Sequence, residues 1–139
     1  MITTRIRDGI AVITLADTRR LSRYDLQAGR AFSDALQSAG DDDAVRAIVL
    51  LAEGKDFCAP VPVVAAAGGG HAEAQAIYGG ANGVYQSLAY ARKPVIMGVQ
   101  GRCAGAGSAL ALCADFLVMG RSASIRPPFA AIPEASFTL

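Results

Sequence analysis

The sequence predicts an α/β domain with a largely parallel sheet, and three observations carry that reading. Two compact apolar runs, Ala47 to Ala52 (AIVLLA) and Val95 to Val99 (VIMGV), have the length and composition of strands buried in a parallel sheet. Segments with apolar residues at helical spacing alternate with such runs, the order in which parallel strands and their crossovers are laid down. The chain instead opens on two alternating segments around a turn signal, the mark of a hairpin.

Taken in order, Thr3 to Arg7 alternates, Asp8-Gly9 is a turn signal and Ile10 to Leu15 alternates again, which predicts a β-hairpin. Ser22-Arg23-Tyr24-Asp25 fits a capping box: Ser22 can accept from the first turn while Asp25 reaches back. Leu26, Phe32, Leu36 and Ala39 then fall near one helical face, and Gly40 reads as the C-terminal stop. Asp41-Asp42-Asp43 is expected to be a solvated run opening the next element rather than a metal site. After the strand 47–52, residues 56–70 (DFCAPVPVVAAAGGG) are punctuated by Pro and Gly and predict an irregular loop, since Pro60 and Pro62 have no ladder donor. Ala72 to Ala91 can form a helix weakened by Gly79, Gly80 and Gly83. The strand Val95 to Val99, a glycine turn, a short helix from about Gly105 to Ala114 and a strand Phe116 to Met119 complete the pattern.

With 139 residues the chain is expected to form one domain, 1–139, with a real core. It is 53% hydrophobic and 18% charged with a net charge of +1, so it has no basic excess to hold a polyanion. With no Trp, five Phe and four Tyr it also has little for base stacking, and nucleic acid is excluded as the expected partner. Met1 to Asp17 lacks a signal-peptide apolar region, and no run approaches the roughly 18 apolar residues of a membrane span. The three cysteines, Cys58, Cys103 and Cys113, form no CxxC pair and would leave one over if two bridged, which predicts a reduced, cytoplasmic setting. A single histidine, His71, follows three glycines and reads as an exposed loop residue; no metal site is expected.

The segment that carries chemistry is Lys93 to Phe116, KPVIMGVQGRCAGAGSALALCADF. A strand that enters a glycine turn and leaves as a helix exposes backbone N–H groups that bind an anion. One candidate anion is the pyrophosphate of a dinucleotide, because Gly101, Gly105 and Gly107 have suitable spacing and Arg121 could meet a 2′-phosphate. Ser108 to Ala114, however, supplies only about two helical turns, where a parallel crossover needs a dozen residues or more. The other candidate is the oxyanion formed on a carbonyl under attack.

Lys93 to Gly120, read as KPVIMGV, QGRCAGAG, SALALCAD and FLVMG, resembles the central signature of the crotonase (enoyl-CoA hydratase/isomerase) superfamily. The earlier landmarks agree in order: the opening hairpin, Arg19-Arg20-Leu21-Ser22, and the AIVLLAEGKDFCA strand and turn. The resemblance spans almost the whole chain and implies a crotonase-like ββα spiral core. It also implies that a C-terminal helical region, which in the family closes the acyl pocket and builds a trimer, is lacking here, so the chain is expected to be a fragment or a short member that self-associates as a trimer or hexamer.

The resemblance further implies that two backbone N–H groups hold an acyl-CoA thioester oxygen and stabilise the enolate that forms when a proton moves at Cα. By position these donors are Val61 and Ala106, and losing one such donor typically costs about 3 kcal/mol of transition-state stabilisation. Arg20, Leu21, Cys58, Ala59, Gly105 and Gly107 fall at positions that line the thioester site; coenzyme A enters as part of the substrate, and no separate cofactor is implied. The family's glycine in the first turn is Pro60 here, and the two hydratase glutamates are Ala109 and Phe129, which cannot carry a proton. The closing stretch Pro128-Phe129-Ala130-Ala131-Ile132-Pro133-Glu134-Ala135-Ser136 is closest to the Δ3,Δ2-enoyl-CoA isomerase-like branch, in which a single glutamate serves as base. Glu134 is accordingly either that base or a solvated carboxylate, and the chain is either an isomerase-type enzyme or a silent binding or assembly module of the same fold.

Overall fold

The structure is a computed structural model, and it describes residues 2–18, 26–58 and 82–126. The opening hairpin forms as its alternation dictates: β1 (Ile2–Arg7) pairs antiparallel with β2 (Ile10–Leu15). Asp8 and Gly9 both take positive φ, 52° and 79°, the left-handed pair that a two-residue hairpin turn with matching twist requires. The Gly9 carbonyl accepts from Arg46 N–H at 2.7 Å, so the turn also fixes where the next strand begins.

Helix α1 (Leu26–Asp41) buries Gly29, Phe32, Leu36, Ala39 and Gly40. Two expectations are corrected here. Leu26 stays exposed, because it opens the helix before the buried stripe is established. Gly40 is not the stop but a buried member of the last turn, where a Cβ would stand 3.4 Å from the Arg92 Cβ; its small size lets the two segments close up. The acidic run that follows caps the connection, with the Asp42 carboxylate accepting from Ala44 N–H at 2.8 Å.

Strand β3 (Ala47–Ala52), helix α2 (82–89), β4 (Val95–Val99), β5 (Arg102–Ala104), helix α3 (Ala106–Leu112), β6 (Phe116–Met119) and β7 (Ser124–Arg126) complete the described chain. The main sheet has the order β1-β2-β3-β4-β6, parallel from β2 onwards. Its inner face (Ala11, Ile13, Leu15, Ile48, Leu50, Val95, Met97, Val99) belongs to one core cluster with Phe32, Leu36, Val84 and Leu88 from α1 and α2. The run AIVLLA is therefore not buried on both faces: Ile48 and Leu50 are, whereas Leu51 lies outside, over Gly98 of β4.

A second, two-stranded sheet pairs β5 with β7, and the composition gave no sign of it. The connection from β4 to β6 thus enters another sheet before it becomes helical. A dinucleotide turn passes from strand to helix directly. The carboxylate of Asp115, at the end of α3, accepts from Val95 N–H at 2.8 Å and is a structural group.

Candidate active site: two turns held against each other

The glycine turn and the turn after β3 are zipped together. Phe57 N–H donates to the Gln100 carbonyl at 2.8 Å, Cys58 N–H to the Arg102 carbonyl at 3.0 Å, and Ala104 N–H to the Cys58 carbonyl at 3.0 Å. Cys58 and Cys103 therefore face each other as an isolated parallel bridge at the edge of the small sheet. Gly101, at φ 56°, has no room for a side chain: a Cβ would press into the Lys55 carbonyl and stand 2.7 Å from the Asp56 carboxylate. Gln100 Nε2 donates to the Ala52 and Gly54 carbonyls at 2.7 and 3.2 Å, and Thr18 Oγ1 donates to the Phe57 carbonyl at 2.7 Å.

Beyond Ala104 the chain turns at Gly105 (φ 60°, ψ −134°), a backbone conformation suited to glycine, and α3 begins. Nothing lies within 4 Å of where its Cβ would be, so the requirement is conformational and not spatial. Gly107 is the opposite case: a Cβ there would meet the Cβ and Sγ of Cys58, the latter at 2.7 Å. Ser108 is fully buried and donates its hydroxyl to the Gly105 carbonyl at 2.7 Å, which leaves that oxygen occupied and holds the turn's shape. The first intrahelical donor is Ser108 N–H, to Gly105 at 3.1 Å; the Ala106 and Gly107 amides precede it and are not paired by the helix.

Asp56 and Arg102 stitch the two turns electrostatically. Arg102 donates through Nη2 and Nε to one carboxylate oxygen at 2.7 and 3.1 Å and through its backbone N–H to the other at 2.9 Å. The Arg102 side chain and backbone bonds hold the Asp56 carboxyl below its ordinary pKa, and the same partner raises that of Arg102. Among the thiols, burial and then the neighbouring Cys58 push Cys103 up to about 12; burial also pushes Cys113 up. These thiols are neutral packing groups, not nucleophiles.

Of the residues that the sequence points to, the structure brings Cys58, Gly105, Gly107 and the start of α3 at Ala106 together. Arg20, Leu21, Ala59, Val61 and Glu134 lie outside the described residues, as do His71 and Phe129. Ala109, where the resemblance expects a hydratase glutamate, is half-buried in α3. The sequence reading missed Asp56, Arg102, Gln100 and Thr18, whose partners are remote in the chain. The available signal was a charge in each turn, an acid directly before Phe57 and a base directly after Gly101.

Among the described residues no group of three or more His, Cys, Asp or Glu side chains is placed to hold a metal ion. No helix among them is long and apolar enough to cross a membrane.

Comparison with known proteins agrees with this architecture. The family profile for enoyl-CoA hydratase/isomerase matches residues 5–135. The chain is 29% identical over 126 residues to the 1,2-epoxyphenylacetyl-CoA isomerase of Escherichia coli, covering 88% of this chain and 48% of that protein. It is 32% identical over 140 aligned positions to a probable enoyl-CoA hydratase of Rhodobacter capsulatus, covering 96% and 52%. A solved structure from Legionella pneumophila, described as an enoyl CoA hydratase/isomerase (crotonase), superposes with a TM-score of 0.79 at 28% identity over 89% of this chain and 49% of that one. The enoyl-CoA hydratase of Bacillus halodurans shares the fold alone, with a TM-score of 0.78 at 16% identity, over 89% and 51%. The chain spans about half the length of the relatives it matches. By its profile match, its relatives and the crotonase fold of its structural neighbours, the chain belongs to the enoyl-CoA hydratase/isomerase family.

Proposed function

We propose that this chain binds acyl-CoA thioesters and, where it acts on them, moves a proton by an isomerase-type route. The observation that supports this reading is the packing of Gly107 directly on Cys58, which sets the amide-rich start of α3 beside the turn that follows β3. A thioester oxygen between two such turns would accept from the Ala106 amide on one side and the Val61 amide on the other. Withdrawal of electron density through that oxygen makes the Cα proton acidic, and preorganised backbone donors are the efficient way to stabilise the resulting enolate. Glu134 is the proposed base: it would remove the proton from one carbon and return it to another, so no second acid is needed.

A second reading, a silent acyl-CoA-binding or assembly module, is favoured by one specific observation. Two described carboxylates, Asp56 beside the glycine turn and Asp115 beyond α3, are already engaged, with Arg102 and with Val95 N–H. Titration calorimetry with acetyl-CoA and a 3-enoyl-CoA, paired with an isomerase assay, separates the two. Binding with turnover that Glu134→Gln abolishes, at unchanged affinity, supports the isomerase. Binding without turnover selects a silent acyl-CoA-binding module, and no binding overturns the isomerase and leaves the assembly module.

A further inference from the structure

The geometry points to Asp56 as a positioning residue that sets the spacing between the two turns proposed to hold the thioester oxygen; the inference rests on that reading of the site. Cys58 makes the regular pair of parallel bonds around Cys103, its N–H to the Arg102 carbonyl and its carbonyl from Ala104 N–H, whereas Phe57 N–H, one residue earlier, reaches the Gln100 carbonyl outside that alternation. In a continuing parallel ladder the next rung, from Arg102 N–H, would end on a main-chain carbonyl one step earlier in the partner strand. It ends instead on the Asp56 carboxylate, at 2.9 Å. A side chain is longer than a carbonyl, so the backbone at 56 leaves the ladder, in which Cys58 alone remains, and Phe57 N–H takes the Gln100 carbonyl in its place. The chain therefore leans into the glycine turn just where Gly101 has given up its side chain to the Lys55 carbonyl and Asp56.

The Arg102 fork onto the second carboxylate oxygen fixes the rotamer that this substitution needs. Its own side chain is 65% exposed, whereas that of Asp56 is 15% exposed. The exposed half is a brace, and the sheltered half sets the distance. Two residues further on, Cys58 rests against Gly107 at the start of α3, so a shift at 56 is passed to the amides of α3 through that contact.

The two partners are accordingly unequal, which a plain surface ion pair would not be. Asp56→Ala removes both the rung and the fork; Arg102→Ala removes only the fork, because the backbone N–H remains. A probe that reads donor alignment directly is cinnamoyl-CoA, whose conjugated thioester absorbs at longer wavelength when its carbonyl oxygen accepts hydrogen bonds. The wild-type chain is expected to bind it with a red shift. Asp56→Ala is expected to bind within about threefold of wild-type affinity yet lose most of the shift, and Arg102→Ala to keep most of it. If the wild-type chain turns over a 3-enoyl-CoA, Asp56→Ala should lower kcat by about tenfold to a hundredfold with KM little changed, the scale of a misplacement near 1 Å.

Should Asp56→Ala not fold, Asp56→Glu retains the charge and the brace but lengthens the rung, and it should lose the shift as well; Asp56→Asn, which keeps the accepting oxygen in place, should restore it. An undiminished shift in Asp56→Ala or Asp56→Glu, or equal losses in Asp56→Ala and Arg102→Ala, overturns the positioning role while leaving acyl-CoA binding intact. Absence of binding by the wild-type chain overturns the reading of the site, and the positioning role with it.

Discussion

Gly107 lies against Cys58 so closely that a Cβ at position 107 would stand 2.7 Å from the cysteine sulfur. That contact joins the helix after the glycine turn to the end of the β3 turn, and it makes the absence of a side chain at 107 a packing requirement.

Gly107→Ala is therefore expected to destabilise the fold by roughly 1–3 kcal/mol, the usual cost of forcing extra atoms into a well-packed site. The double variant Gly107→Ala with Cys58→Gly should recover part of that loss, because it removes the atoms that the new methyl meets. Urea denaturation of the two single variants and the double variant checks this. Additive losses would show that the two positions are not in contact.

Gly105→Ala acts by a different route. Its neighbourhood is open, so any destabilisation, expected at about 1–3 kcal/mol, comes from holding an L-residue at φ 60° and ψ −134°. Semisynthetic replacement by D-alanine should cost much less, since positive φ is natural to that enantiomer. Equal stabilities of the L and D variants would remove the conformational explanation.

The Asp56–Arg102 pair gives stability a defined pH dependence. The folded state holds the Asp56 carboxyl below its ordinary value, so the stabilisation is present above the unfolded-state pKa of about 3.9 and is lost as pH falls through the folded value. Chemical denaturation of wild type and Asp56→Asn should differ at pH 7 and converge on acidification below about pH 4. A gap that persists unchanged at pH 3 would show that the ionised carboxylate is not its source.

The cysteines should separate by accessibility. Cys58 and Cys103 are buried and Cys113 is half-buried, and the Cys103 thiol is pushed up to about 12. Thiol-disulfide labelling of the native chain at pH 8 should modify Cys113 first and slowly, with Cys58 and Cys103 reacting only on unfolding. Because raised thiol values favour the folded state below the unfolded thiol pKa, stability should fall as pH rises from about 9 towards 12. Rapid native labelling of Cys103 would contradict its burial.

The elements legible in the sequence are those whose pattern is local. The hairpin follows from alternation around Asp8-Gly9, and β4 and β6 follow from apolar runs bounded by Lys93-Pro94 and Gly120. Strand β5 is illegible because three residues, Arg-Cys-Ala, show no periodicity; its pairing is imposed by Cys58 on one side and Ser124–Arg126 on the other. Gly40 misleads because a glycine near a helix end serves equally as a stop or as a place for close approach, and Arg92, which decides between them, is remote in sequence. At the site, the glycine turn is legible because Gly105 and Gly107 stand in a local pattern between a strand and a short helix. The Asp56–Arg102 pair is not, because its partners are 46 residues apart and neither belongs to a local pattern.

The bond from Val95 N–H to the Asp115 carboxylate has a kinetic meaning. It spans 20 residues and closes a loop that contains β4, the glycine turn, β5 and α3. Closing that 20-residue loop costs less conformational entropy than closing the 46 residues between Asp56 and Arg102, by less than about 1 kcal/mol. The half of the site that carries the glycine turn thus has the means to take shape as a local unit, and the β3 turn is the part that must arrive. Protection of the Met97 and Val99 amides ahead of Phe57 and Cys58 in pulse-labelled hydrogen exchange would display that order of assembly, and simultaneous protection would deny it.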